Sequence, residues 1–146
     1  MPNDPVHILS SATTGGRINP HGGQELALML EGIKPFAMFG QTDDMARDEV
    51  GDEEFATFVE RGQLVYEGIH YPDESYTRHY YALPTETWRI KAMHALKSED
   101  ADLKFPSFTL DDYYRMVGFL LGYSKADVET FIESSRARRE RMAHRQ

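Results

Sequence analysis

The stretch from Gly62 to Pro84 limits the fold of this chain more than any other. It holds five of the eight tyrosines and two of the six histidines, and at its middle is Pro72-Asp73-Glu74-Ser75. Aromatic and β-branched residues favour a pleated surface, and a Pro-Asp-Glu-Ser run is turn chemistry. The stretch therefore predicts a β-hairpin, with strands over 63–71 and 76–83. With that turn, Tyr71 stands opposite Tyr76, Gly68 opposite His79, Tyr66 opposite Tyr81 and Leu64 opposite Leu83. One face then gathers Leu64, Tyr66, His70, His79, Tyr81 and Leu83, and the other Glu67, Ile69, Tyr71, Tyr76, Arg78 and Tyr80. A slip of one residue would exchange the faces. Gly68 leaves space beside the His79 imidazole or marks a bulge.

The rest of the chain supplies cover. Pro35-Phe-Ala-Met-Phe39 is a short apolar run that reads as a buried strand beside the hairpin, ended by Gly40. A further edge strand is read over 5–11. Helices are expected from Gln24, from Asp52 as a cap with Phe55, Phe58 and Val59 on one face, and from Thr85 with Trp88, Ala92, Ala95 and Leu96 on one face. Thr109-Leu-Asp-Asp112 has capping-box form and opens a helix to Leu121 that is apolar nearly all round. Ser124 caps a last helix. The expected fold is α+β: a small, mainly antiparallel sheet with about five helices on one side. One globular domain over 1–134 carries an arginine-rich helical or frayed tail, 135–146.

Charge narrows the partners. The net charge is −8, yet the last twelve residues carry +4, which leaves −12 on the body. Phosphate is repelled by such a body, so nucleic acid is an unlikely partner except through the arginine tail. There is no cysteine, which excludes disulfides and thiolate chemistry. No apolar run matches a membrane span and no signal peptide is read at the start, so the expected protein is soluble, off the membrane and cytoplasmic.

No motif of a zinc hydrolase, a nucleophile elbow or a phosphate-binding Walker loop is present. Two constellations still suit chemistry. In the first, His70 or His79 serves as general base with Glu67 as carboxylate partner and Tyr66 or Tyr81 as orienting hydroxyl, while Arg78 holds an anionic substrate with its planar fork. The predicted pairing puts Glu67 and Arg78 on the opposite face from the histidines, which splits this set. In the second, Gly15, Gly16, Gly22 and Gly23, with Arg17 and His21, form a glycine loop that lets backbone approach an anion. Neither constellation calls for a metal or a cofactor. The leading expectation is a small non-enzymatic module of bacterial or phage type, binding a protein partner or its own copy through the C-terminal helices. The alternative is a small enzyme or anionic-ligand-binding protein with a His/Tyr-lined pocket between sheet and helices.

Overall fold

The computed structural model describes residues 19–97 and 107–144. The strand expected over 5–11 lies outside them, as do Gly15, Gly16 and Arg17. The described residues form a three-stranded antiparallel sheet and five α-helices, an α+β fold. In chain order these are α1 (Glu25–Leu30), β1 (Phe36–Thr42), α2 (Ala56–Glu60), β2 (Val65–Tyr71), β3 (Tyr76–Ala82), α3 (Trp88–Lys97), α4 (Leu110–Leu121) and α5 (Lys125–Ala143). No helix among the described residues is long and apolar enough to cross a membrane.

The hairpin has the expected register. Tyr71 pairs with Tyr76, Gly68 with His79 and Tyr66 with Tyr81. Its turn is a 3-10 turn over Pro72–Glu74, closed by Ser75 in the left-handed region (φ 52°). The buried run at 35–39 does lie beside the hairpin, pairing with β3, which becomes the central strand. It does not end at Gly40. The strand continues to Thr42, and the glycine instead makes room for Tyr76, whose hydroxyl end a side chain at Gly40 would strike.

Helices cover both faces of the sheet, not one. Phe36, Tyr80 and Ala82 pack against Ile90, Met93 and Leu96 of α3 and Val117, Leu120 and Leu121 of α4. Ala37, Phe39 and Tyr81, on the other face, pack against Met29 of α1, Phe55 and Leu64. The central strand therefore needs apolar residues on both sides, and Tyr80, Tyr81 and Ala82 are all buried. Each such aromatic contributes on the order of 2 kcal/mol through the area it removes from water. The second layer is made from short pieces, α1 of six residues and α2 of five, both expected as helices but not on a separate face.

Both C-terminal helices start as their sequences require. Thr109 accepts from the Asp112 amide, and the Asp112 carboxylate accepts from the Thr109 amide, completing the capping box. Ser124 accepts from the Asp127 amide. Gly122 ends α4 with φ 81°, and a side chain there would strike Pro35. Asp52, by contrast, makes no cap; its carboxylate is used elsewhere.

Candidate functional site

On the face covered by α1 and α2, two hydrogen-bonded chains run side by side. Tyr81, on the central strand, donates its hydroxyl to Asp52, and Arg47 grips the same carboxylate with both terminal nitrogens at 2.6 and 2.9 Å. Burial pushes the Asp52 carboxyl up, but the bonds from Arg47 and Tyr81 outweigh it and hold the carboxyl below the usual range. Burial and the Asp52 bond push the Tyr81 phenol far up. Tyr81 is therefore a neutral donor, and its role is to orient.

The second chain has His79 at its centre. Gln41 donates its amide nitrogen to the Met45 carbonyl at 3.1 Å, which turns its amide oxygen toward His79 Nε2 at 2.8 Å. An amide oxygen only accepts, so Nε2 carries the proton. Nδ1 then has a free lone pair, and the Tyr66 hydroxyl donates to it at 2.7 Å. Burial lowers the His79 imidazole below its ordinary value, Arg47 adds to this, and Asp52 opposes it. His79 is 4% exposed, and its ring is neutral at pH 7. Gly68 permits the arrangement: a side chain there would collide with the Tyr66 hydroxyl. The space read beside His79 in the sequence is filled by Tyr66.

The other residues of the first constellation separate. His70 is on the same face but half exposed, with Asp43 at 3.1 Å. Glu67 is exposed on the opposite face. Arg78 is also on that opposite face, and it is buried.

A cavity of about 270 Å³ lies on the Arg78 face, between the sheet and the α4–α5 pair. Met38 and Arg78 reach it from the sheet, Tyr113 and Tyr114 from α4, Phe131 and Arg138 from α5. Arg78 is 9% exposed. One of its terminal nitrogens lies 3.2 Å from the Met38 sulfur, and its guanidinium is 5.7 Å from the Tyr76 ring centre. Burial works against its charge, but Tyr113, Tyr80 and Tyr76 outweigh this, and it remains a cation. Among the described residues, no carboxylate forms an ion pair with it. Of the arginines on α4 and α5, Arg115 pairs with Asp112 and Glu129, and Arg136 and Arg139 pair with Asp111, whereas Arg138, at the same cavity as Arg78, has no ion pair among the described residues.

The glycine loop is seen only from its second half. Gly22 and Gly23 form a turn before α1, and His21 points inward, its Nδ1 2.9 Å from the ammonium of Lys34. Lys34 is 1% exposed and also lies 4.8 Å from the Tyr123 ring centre. Among the described residues no three His, Asp or Glu side chains gather so as to hold a metal ion.

Sequence reasoning picked out Arg78, His79, Tyr66 and Tyr81 but missed Gln41, Arg47, Asp52, Tyr113, Tyr114 and Arg138. Density of tyrosine on α4 was the signal available for the cavity, and it reads equally as core. No family model, curated protein or solved structure matches this chain.

Proposed function

We propose that this protein binds a small organic anion with an apolar body, the anionic group on Arg78 and the body against Met38, Phe131 and the α4 tyrosines. The observation that supports it is a buried guanidinium at the wall of a cavity with no carboxylate among the described residues to match it. A charge out of water is costly unless paired, and a planar fork suits a carboxylate or a phosphate. The aromatic walls supply apolar contact and hydroxyls that hydrogen-bond.

Titration calorimetry with benzoate, phenyl phosphate and the neutral analogue benzamide tests this. Saturable binding of at least one anion, no binding of benzamide, and loss of binding in Arg78→Met are expected. No saturable heat with either anion, or equal heat from benzamide, overturns the reading.

A second reading, partner binding or self-association through the C-terminal helices, is favoured by one feature. Met116 and Phe119 of α4 and Trp88 of α3 are exposed, Phe119 by 60%. A self-associating chain sediments as a concentration-dependent oligomer, and Phe119→Glu returns it to monomer. A monomer at all concentrations removes self-association.

A further inference from the structure

Tyr66 and His79 do not face the cavity, and the anion-binding reading makes no use of them. They form a hydroxyl, an imidazole and an orienting oxygen in series, which is the general plan of an activated nucleophile: nucleophile and base within hydrogen-bond reach, the base held by a third group. We infer that Tyr66 is a nucleophile for acyl transfer, with His79 as its base and Gln41 as the positioning residue for that base.

Three observations carry this. The tautomer is fixed in the productive sense, because the Gln41 oxygen holds the proton on Nε2 and leaves Nδ1 to receive one from Tyr66. The side chain reaches solvent: Tyr66 is 37% exposed on an edge strand, and its oxygen lies over Gly68, where a side chain would displace it. Finally, the surroundings select the electrophile. Asp43 pairs with His70 on the same face, and Arg47 is matched there by Asp52, on a chain of net charge −8. Anionic phosphoryl donors are repelled there, whereas a neutral activated ester is not.

The step balances simply. The Tyr66 oxygen attacks the acyl carbonyl carbon and a phenyl ester forms, the Tyr66 proton passes to His79 Nδ1, and the leaving group departs into solvent as its anion with the electron pair of the broken carbon–oxygen bond. Hydroxide or water later regenerates the phenol.

Tyr71 provides an internal control. Its hydroxyl contacts both Tyr80 at 2.8 Å and His94 Nδ1 at 3.0 Å, and burial, the largest influence on its phenol, raises it. The experiment is acetylation of the intact protein with p-nitrophenyl acetate at pH 7.5, followed by peptide mass spectrometry. Tyr66 is expected to acquire acetyl on the order of 100-fold faster than Tyr71. In His79→Phe the Tyr66 rate falls by a similar factor while Tyr71 keeps its own. In Gln41→Leu the rate is lowered and its pH midpoint is displaced, an effect that loss of packing alone would not give. Equal labelling of Tyr66 and Tyr71, or an unchanged Tyr66 rate in folded His79→Phe, overturns the inference. Where His79→Phe fails to fold, the wild-type pH profile decides. An inflection below the ordinary histidine value supports the base, and a rate that rises only with phenol ionisation overturns it.

Discussion

The Lys34 ammonium donates to the Leu121 carbonyl at 2.6 Å, across 87 residues of chain. Leu121 is the last residue of α4; of the terminal carbonyls, Gly118 and Phe119 accept from the amides of Tyr123 and Gly122, and the remaining ones need partners from outside the helix. Arg89 donates to the two preceding carbonyls, Phe119 and Leu120, each at 3.0 Å. Two cations thus close the negative end of the most apolar helix, Lys34 from inside the protein and Arg89 from the surface side. The helix is held to the sheet by more than its apolar stripe.

The cost of that internal cation is read in pH. Burial pulls Lys34 down to about 7, with Glu25 opposing only in part. The unfolded chain holds the proton up to roughly 10.4, so between about pH 7 and 10 the unfolded state binds more protons and stability rises with pH. Urea denaturation at pH 7, 8 and 9 is expected to show this rise, up to about 1.4 kcal/mol per unit, and Lys34→Met is expected to remove it. The same slope in the variant would exclude Lys34 as its source.

Asp52 gives the opposite end of the scale. Its folded-state carboxyl lies below the ordinary value, so its contribution is present above that value and disappears as pH falls through the folded one. At pH 7, Asp52→Asn keeps the shape but removes the charge that Arg47 and Tyr81 share, and a loss of about 2–3 kcal/mol is expected. Chemical denaturation of the variant measures it. A change under about 0.5 kcal/mol would mean that Arg47, half exposed, finds equal solvation in water.

His79 offers a direct spectroscopic check on its tautomer. Long-range nitrogen–proton correlation at pH 7 is expected to show a neutral ring protonated on Nε2. Gly68→Ala pushes the Tyr66 hydroxyl from its place over the backbone, so the Nδ1 resonance is expected to move while Nε2 keeps its proton from Gln41. Protonation on Nδ1 in the wild type would reverse the direction of the Tyr66 bond.

Legibility in the sequence followed range. The hairpin register was readable because the turn fixed it and each pairing followed from the turn outward; Tyr66 opposite Tyr81 needs no information beyond residues 62–84. Thr109 and Ser124 were readable because a cap acts within three residues. The two-sided cover was not: α1 and α2 were read as helices, but which face of the sheet they cover is set by contacts distant in the chain, although the unbroken apolar run of β1 was a sign of burial on both faces. Asp52 looked like a cap by type and proved to be a partner of Tyr81, 29 residues away. The sequence showed Arg78 as an anion clamp by chemistry alone. Which cavity it faces depends on α4 and α5 folding back over the sheet, and no local pattern encodes that.

Gly118 tests how tightly those two helices must meet. It is buried on α4, and a side chain there would overlap Val128 of α5, so the helices approach with no space for even a methyl group. Both residues also line the cavity. Gly118→Ala gains helix propensity of up to about 1 kcal/mol but overpacks this contact by about 1–3 kcal/mol, so a net loss of stability is expected. Val128→Ala alone removes two methyl groups and is also destabilising. Combined, the new methyl occupies the space vacated by valine, and the double variant is expected to be at least about 1 kcal/mol more stable than the sum of the single losses predicts. Denaturation midpoints of the four proteins measure this coupling. Strict additivity would mean that α4 and α5 move apart to accept the methyl, and the cavity beside Arg78 would then widen with them.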